Sequence, residues 1–409
     1  MRICIVTVAS YAHGIGGMQA HSADLCRGLV EAGHEVEVIT ARHPEGRAQT
    51  EHLGATWHFY DATSRKPGRP FRNRDWLTAS TRAFEDLHAA RPFDVVHSES
   101  TSALGLLRCG VHRRVPVVAK FHGNYLGLAQ ATVRRGLDEP GLQPRLREAK
   151  HLAWLTAGHF VPLDVVVRFR ACEAMVPSQQ QVQGTIRSYS LDPARVHVVP
   201  NGIAVEDFRA RGREEARQSL GLGPEPILLC VGRLARDKGF ATAIKALARV
   251  GSRDARLLVL GSGPERTLLE QAARTAGVAG RVDFLGAKPR AEVVDYLAAA
   301  DVFLFPTERD EAAPLVPLEA MAAGLPVVAS RIGGGAELIE PGRSGVLVAP
   351  AAVGDWAKAI DSLLADDALR RRMGEAARER ILQRYTIEAM TRQTVAVYEL
   401  AAKRLQKDG

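Results

Sequence analysis

Short apolar runs alternate with longer amphipathic stretches along the first half of the chain. The runs are "RICIVTVAS", "HEVEVIT", "ATWHFY", "DVVHSES", "VPVVAKFHG" and "ACEAMVPS". A stretch of helical periodicity from Met18 to Glu31, ending at Gly33, separates the first two. Apolar runs of about four to six residues, bounded by Gly, Pro or polar residues, are typical of strands buried on both faces. The pattern therefore predicts a parallel sheet with crossover helices.

The second half repeats the pattern, which predicts a second doubly wound sheet. Its strand candidates are "PILLCVGRL", "ARLLVLGSG", "RVDFLG", "DVFLFPT", "LPVVAS" and "GVLVAP", and its helices are predicted over Phe240–Val250, Pro264–Ala276 and Arg290–Ala300. A Pro-Asn-Gly turn, a charge run and a Gly-Pro cluster predict a hinge near residues 200 to 224. The segment "YTIEAMTRQTVAVYELAAKRL" predicts a long C-terminal helix.

Length and composition fit an ordinary globular protein with two cores. The chain has 409 residues, of which 46% are hydrophobic and 24% charged. No stretch approaches the roughly 20 apolar residues of a membrane-spanning helix, and "MRICIVTVAS" is too short for a signal peptide, so we predict a cytoplasmic protein. The five cysteines stand singly within apolar segments, which favours buried, reduced thiols over disulfides or a zinc site.

Positive charge is concentrated in one part of the chain. The formal net charge is +8, and residues 101–150 hold nine Lys and Arg against three Asp and Glu. The segment lacks the interleaved aromatic residues of single-strand binders, so we predict no nucleic-acid partner. Residues 134–154 combine basic and apolar positions, which suggests contact with a phosphorylated substrate or with an anionic membrane at its inner face. A solvated helix packed on the sheet is the alternative.

Glycine-rich loops follow several predicted strands, where ligands of parallel sheets bind. In "AHGIGGMQAH", Gly16 and Gly17 would let backbone amides approach a ligand, although their spacing does not fit a dinucleotide fingerprint. The alternative is a tight turn. In "LGSGPER", Gly261 and Gly263 form another such pair, or a simple turn.

Two cations follow the first strand of the second half. In "VGRLARDKGF", Gly232 precedes Arg233, and Lys238 lies just before the next helix. Arginine offers a forked set of donors and lysine a point charge, so together they could hold a diphosphate. The alternative is a pair of solvated surface cations.

Two glutamates flank a predicted helix start in "RDEAAPLVPLEAMAAGLPVVAS". The helix is predicted from about Pro314 to Ala323 and closed by Gly324. Its free amides suit an anion, while Glu311 before it and Glu319 within it could accept hydrogen bonds from sugar hydroxyls. The alternative is an acidic residue that favours the helix dipole and a solvated helical glutamate.

In combination these motifs resemble the retaining, GT-B fold glycosyltransferases of the family 4-like, group 1 type. The resemblance rests on six segments, which occur in the family's order. They are "GGMQAHSADLCRGLVEAGHEVEVIT", "FHG", "VVPNGI", "VGRLARDKG", "LGSGPER" and "DEAAPLVPLEAMAAGLPVVAS". It implies two Rossmann-like domains facing across a cleft, with the C-terminal helix crossing back to the first. Residues 1–200 and about 386–409 would form the acceptor-binding domain, and residues 201–385 the donor-binding domain.

The resemblance also implies roles for individual residues. Arg233 and Lys238 would neutralise the donor diphosphate, Glu319 would bind the ribose and Glu311 the transferred sugar. His122, in "KFHG", matches the family's active-site histidine. The implied catalytic set is His122, Glu311, Arg233 and Lys238, and the implied donor-binding set comprises Gly16, Gly17, Gly232, Arg233, Lys238, Gly261, Gly263, Glu311, Ala312, Ala313, Pro314, Leu315 and Glu319.

The implied reaction moves a sugar from a UDP- or GDP-sugar to a hydroxyl of a glycan, a lipid-linked or a small-molecule acceptor. No Asp-x-Asp metal site stands in a matching loop, so we expect no metal and no cofactor. Two departures concern specificity: Ala312 and Ala313 stand where the family often has Gly-Phe, and Gln19 where it often has Glu. A nucleotide-sugar epimerase of the same architecture and a non-catalytic nucleotide-sugar binder remain as alternatives.

Overall fold

A computed structural model describes residues 1–14, 16–61, 74–123, 162–208 and 212–408. Within these ranges, no helix has both the length and the apolar character that crossing a membrane requires. The chain divides into two compact units, Met1–Gly202 with Ile387–Gly409 and Ile203–Thr386. The basic segment 134–154 lies outside the described residues, so its proposed contacts with a phosphorylated substrate or a membrane stay predictions.

Unit one is built on an eight-stranded sheet with the order β3-β4-β2-β1-β5-β6-β7-β8. Its pairs are parallel except the β3–β4 pair, which is antiparallel. The strands are β1 (Arg2–Val6), β2 (Glu35–Ala41), β3 (Gln49–His52), β4 (Ala55–Tyr60), β5 (Val95–Glu99), β6 (Val117–Lys120), β7 (Glu173–Val176) and β8 (Val196–Val198). The described helices are α1 (Gly17–Glu31), α2 (Arg74–Ala90), α3 (Leu104–Arg108), α4 (Pro162–Phe169), α5 (Gln179–Tyr189) and a C-terminal helix (Ile387–Asp408).

The C-terminal helix packs on α1, as a close approach of their backbones shows. A Cβ atom at Gly28 would lie 2.1 Å from Thr391 Oγ1, so a larger residue in α1 would push the helices apart. Met390 and Tyr398 share a buried cluster with Leu25 and Trp57. The predicted return of this helix to the first domain is therefore confirmed.

Unit two is built on a six-stranded sheet in which every pair is parallel, with the order β11-β10-β9-β12-β13-β14. Its strands are β9 (Ile227–Val231), β10 (Arg256–Leu260), β11 (Val282–Gly286), β12 (Val302–Phe305), β13 (Val327–Ser330) and β14 (Gly345–Val348). Its helices are α6 (Arg213–Ser219), α7 (Phe240–Leu247), α8 (Arg266–Thr275), α9 (Arg290–Ala299), α10 (Leu315–Ala322), α11 (Gly333–Glu337), α12 (Val353–Ala365) and α13 (Asp367–Arg384). The predicted α/β class with two doubly wound parallel sheets is confirmed.

Much of the predicted hinge at residues 200 to 224 is packed structure of unit two. Helix α6 lies within it and buries Ala216 and Arg217. Arg217 Nη2 donates to Asp301 Oδ2 over 2.8 Å, which joins the helix to the residue just before β12. The charge run thus includes a buried, paired cation, because a buried charge requires such a partner.

The cysteines are free thiols, as the sequence predicts. Cys4, Cys26, Cys172 and Cys230 are buried within the two cores. Cys109 is exposed, so the prediction that all five are buried is wrong at this position.

Candidate functional site

Two glycine loops of unit two lie directly against each other. Leu234 N donates to Ser262 O over 2.9 Å, and Glu265 N donates to Leu234 O over 3.1 Å. A Cβ atom at Gly261 would lie 1.8 Å from Gly232 O, and one at Gly263 would lie 2.3 Å from Leu234 O. Gly261 and Gly263, which the sequence predicts at a ligand site, therefore let the loops after β9 and β10 pack backbone to backbone.

The loop after β9 also packs against the loop after β12. Gly239 has a φ of +67°, and a Cβ atom there would lie 1.9 Å from Pro306 O. Glu308 N donates to Asp237 O over 2.9 Å, and Thr307 Oγ1 lies 3.1 Å from the same oxygen. These contacts bring Lys238 and Glu311 together at the carboxyl end of the sheet.

Lys238 and Glu311 form a direct ion pair. Lys238 Nζ donates to Glu311 Oε2 over 2.7 Å, and Thr307 Oγ1 donates to Glu311 Oε1 over 2.9 Å. Their side chains are only 20% and 11% exposed, whereas Arg233 is exposed. Sequence motifs indicated Lys238 and Glu311 as donor-binding residues but did not reveal the bond between them.

A third loop, after β13, fixes the backbone of Glu311. Gly334 N donates to Glu311 O over 2.8 Å. Gly333 has a φ of +67°, and a Cβ atom there would lie 2.7 Å from Glu311 N. This loop was not among the predicted site segments, although the three consecutive glycines that follow "LPVVAS" are a usable signal.

Helix α10 carries Glu319 in a buried position. The helix begins after Pro314, and Leu315 and Ala312 are buried. Glu319 is 7% exposed, and its Oε1 lies 3.2 Å from Arg290 Nε. Arg290 in turn lies over the Phe208 ring, 5.3 Å from its centroid. The alternative of a solvated helical glutamate is therefore wrong, and Arg290 is a neighbour that the sequence did not reveal.

In unit one, the glycine loop leads directly into α1. Gly16 is the N-cap of this helix, and its carbonyl accepts a hydrogen bond from Ala20 N over 3.0 Å. Among the described residues, no atom beyond the chain neighbours and the helix's own backbone lies within 4 Å of a Cβ placed at Gly17. One turn further on, α1 buries His21 and Ser22.

Glu99, the last residue of β5, lies at the centre of a buried polar cluster. Ser22 Oγ donates to Glu99 Oε1 over 3.1 Å, and His122 Nε2 donates to Glu99 Oε2. The Nε2 atoms of His21 and His97 lie 3.7 and 3.6 Å from Oε1.

The cluster extends to the C-terminal helix. His97 Nδ1 lies 2.7 Å from the hydroxyl of Tyr398, which is fully buried. Of this cluster, the sequence analysis identified His122 and missed Glu99, His21, His97 and Tyr398. A carboxylate at the end of the strand "DVVHSES" was the available signal.

Burial and neighbouring charge determine which groups of this cluster are ionised. Burial alone would raise the pKa of Glu99, but its interaction with His122, including the hydrogen bond from that ring, holds it well below its ordinary range. Burial, together with the charge of Lys120, lowers the pKa of His21 well below its ordinary value. Burial also lowers the pKa of Lys120 to about 8, although Glu99 opposes this shift. Glu99 is therefore an anion, and His21 is a neutral ring.

His21, Glu99 and His122 also have the composition of a metal site. One ligand atom from each lies within 4.8 Å of the others. However, His122 already donates to Glu99, and the positive charge of Lys120 acts on the same carboxylate. We therefore interpret the three residues as a hydrogen-bonded cluster, and the expectation that no metal is needed stays a prediction.

Sequence comparison gives consistent matches over most of the chain. The family model described as Glycosyltransferase Family 4 matches residues 15–207, and the one described as Glycosyl transferases group 1 matches residues 212–380. The chain is 31% identical over 375 residues to a D-inositol 3-phosphate glycosyltransferase of Pseudarthrobacter chlorophenolicus. That alignment includes 88% of this chain and 85% of the relative.

Solved structures share the fold over almost the whole length. Sucrose-phosphate synthase of Thermosynechococcus elongatus superposes with a TM-score of 0.77 at 25% identity and covers 98% of each chain. Anabaena HepE, solved in complex with UDP-glucose, superposes with a TM-score of 0.69 at 19% identity and covers 100% of each. The architecture of both units is therefore shared with these proteins.

Proposed function

Because this chain belongs to the GT-B fold glycosyltransferases of family 4 and group 1, we propose that it is a retaining enzyme that uses a nucleoside diphosphate sugar. The acceptor would be a hydroxyl group of a glycan, a lipid-linked molecule or a small molecule. The observation that supports this best is the Lys238–Glu311 ion pair, which lies where the loops after β9 and β12 meet. Lysine can bind phosphate, and the carboxylate beside it can accept hydrogen bonds from sugar hydroxyls. Together they suit a diphosphate joined to a sugar.

We assign the donor's parts to residues of unit two by their chemistry. Exposed Arg233 and the amides at the start of α10 would bind the diphosphate together with Lys238. Glu311 would accept hydrogen bonds from hydroxyls of the transferred sugar, and Glu319 from those of the ribose. Donor binding would then require Lys238 to share its charge between Glu311 and the diphosphate.

The same residues would act most strongly as the reaction proceeds. Negative charge builds on the leaving diphosphate as the glycosidic bond breaks, so fixed cations and amides stabilise the transition state more than the ground state. We propose that the acceptor attacks on the face from which the diphosphate leaves, with a phosphate oxygen taking the proton. His122 would interact with the transferred sugar, and the reaction would require no added metal.

A transfer assay with defined donors tests this proposal. UDP- and GDP-sugars are incubated with a panel of hydroxyl acceptors that includes D-inositol 3-phosphate, chosen because a relative is named for it. Nucleoside diphosphate release, product mass and the anomeric configuration by NMR are recorded, with and without EDTA. We expect an acceptor-dependent product of unchanged configuration that EDTA does not abolish.

A matched pair of variants separates the loss of a donor-binding carboxylate from the general effect of a glutamate-to-glutamine substitution. Glu319→Gln should abolish most activity, while Glu375→Gln, at an exposed position of α13, should retain it. Conversion of the donor without any acceptor would instead identify an epimerase. Donor binding with no turnover on any acceptor would favour a non-catalytic binding protein.

A further inference from the structure

The surroundings of Glu99 are unusual for a carboxylate at the end of a strand. The side chain is fully buried, and the rings of His21, His97 and His122 all present Nε2 to it. His21 and His122 also pack edge to face, with ring centroids 4.8 Å apart. Only His122 of this group reaches the surface, with 17% of its side chain exposed.

The direction of each hydrogen bond follows from the ionisation of Glu99. An ionised carboxylate only accepts hydrogen bonds, so the bonded Nε2 of His122 must carry a proton. In the neutral ring Nδ1 is then unprotonated and can accept a hydrogen bond.

His97 lies deeper in the cluster, between Tyr398 and Glu99. Burial raises the pKa of Tyr398 well above its ordinary value, so its hydroxyl stays protonated, and it lies 2.7 Å from His97 Nδ1. This contact leaves His97 Nε2 facing Glu99 Oε1, 3.6 Å away. Tyr398, on the C-terminal helix, thus orients His97 toward the same carboxylate.

We propose that Glu99 is a positioning residue that fixes the Nε2–H tautomer of His122 and thereby leaves Nδ1 as an acceptor for a substrate hydroxyl. This inference rests on the proposed function, because it requires His122 to face the sugar or the acceptor. Glu99 itself is too deeply buried to touch substrate and acts through His122.

Histidine ¹⁵N NMR tests the tautomer without any need for activity. Spectra are recorded over a series of pH values, and the tautomer is assigned where the ¹⁵N shifts show the His122 ring to be neutral. Wild type should show His122 as the Nε2–H tautomer. In Glu99→Gln the Nδ1–H fraction should rise at least about two-fold, because a carboxamide can bond either tautomer.

Unit one offers a matched control for this variant. Glu173 is also a buried carboxylate of the same sheet, and His197 Nε2 lies 2.8 Å from its Oε2. It is the first residue of β7, whereas Glu99 is the last residue of β5, so the two lie at opposite ends of the parallel sheet. Glu173→Gln should leave the His122 tautomer unchanged. An Nδ1–H tautomer in wild type, or equal tautomer fractions in wild type and Glu99→Gln, would overturn the inference.

Kinetics show whether the two residues act as one unit. Glu99→Gln should lower kcat at least about 10-fold with a donor KM within about three-fold, as expected when a histidine loses its orienting carboxylate. Combining it with His122→Ala should cause no further loss beyond His122→Ala alone. Multiplicative losses would contradict the inference even if transfer itself is observed. Absence of transfer activity would instead contradict the proposed function, and the NMR result would still decide the role of Glu99.

Discussion

Lys238 Nζ lies 2.7 Å from Glu311 Oε2, although 73 residues separate them in the chain. Three loops hold this pair: the loop after β9 carries Lys238, the loop after β12 carries Glu311, and the loop after β13 binds the Glu311 backbone through Gly334. The ammonium group of Lys238 and the carboxylate of Glu311 neutralise each other. The donor would therefore meet a charge arrangement that is already in place.

Removing Lys238 should destabilise unit two and weaken donor binding. Lys238→Ala leaves Glu311, which is only 11% exposed, without its charged partner and with Thr307 as a remaining donor. We expect a loss of about 1–3 kcal/mol in the free energy of unfolding, measured by urea denaturation. Lys358→Ala is the matched control, because its ion pair with Asp355 is 3.8 Å long and 84% of the lysine side chain is exposed. Equal losses in the two variants would show that the Lys238–Glu311 pair stabilises the protein no more than an exposed ion pair does.

Because of Lys120, the free energy of unfolding should change with pH in the alkaline range. Its pKa is lowered by burial to about 8 from an ordinary value of 10.5, so between these values the unfolded chain binds a proton that the native state has lost. Wild-type stability should therefore rise with pH across this window, by roughly 3 kcal/mol in total. Below pH 8 the native state buries a charged Lys120, and the full cost of this burial lowers the stability of wild type. The free energy of unfolding of Lys120→Met should therefore exceed that of wild type by most at neutral pH.

The measurement is urea unfolding of wild type and Lys120→Met at several pH values from 7 to 10.5. The advantage of the methionine variant should shrink as the pH increases from 8 to 10.5. The exposed Lys358→Met variant should show no such trend. A difference between wild type and Lys120→Met that is constant with pH would contradict a buried lysine of lowered pKa.

Gly261 should be the least replaceable glycine of the loop after β10. It has a φ of +138°, and a Cβ atom there would lie 1.8 Å from Gly232 O, a backbone atom with little freedom to move. Gly261→Ala should therefore lower the free energy of unfolding by about 3 kcal/mol or more and also weaken donor binding, because the loop after β9 would shift. Both effects are measured by calorimetry with and without nucleotide.

Gly277→Ala separates backbone strain from steric clash. Gly277 has a φ of +70°, and in the part of the chain that the structure describes no atom beyond its chain neighbours lies within 4 Å of a Cβ placed there. Its replacement should cost about 1–2 kcal/mol from the left-handed backbone alone and leave donor binding unchanged. If Gly261→Ala and Gly277→Ala change stability and donor binding equally, the close approach of Gly261 to Gly232 is not the reason that glycine is needed at position 261.

The apolar pattern predicted most of the fold because buried parallel strands are continuous apolar runs. It missed β3, whose residues Gln49–His52 are polar and which is held by antiparallel pairing to β4. It also assigned α6 to a hinge, since the helix is short and highly charged. The core partner of Arg217 is Asp301, 84 residues away, and no local pattern reveals such a contact.

The sequence indicated some residues of the candidate site but none of the bonds between them. Motifs indicated Lys238, Glu311 and His122, because each stands in a loop or strand end typical of ligand binding. The pairing of Lys238 with Glu311 depends on packing between loops, and the partner of His122 is a carboxylate on another strand. Tyr398 joins the same cluster from 301 residues beyond His97, so only the folded chain reveals it.

The central claim is that Arg233 and Lys238 bind the diphosphate of a sugar nucleotide. The most direct measurement is thermal unfolding with UDP, GDP, ADP and TDP and their common sugars, beginning with UDP-glucose. Three proteins are compared: wild type, Arg233→Ala with Lys238→Ala, and a control with two exposed cations of unit two removed, Arg343→Ala with Lys358→Ala.

A ligand at about 100 times its Kd adds roughly 2.7 kcal/mol to the native state, which gives a clear rise in Tm. We predict that one nucleotide series stabilises wild type and the control variant, and that the Arg233, Lys238 variant loses this shift. An unchanged Tm with every nucleotide, or a full shift in the Arg233, Lys238 variant, would contradict the claim.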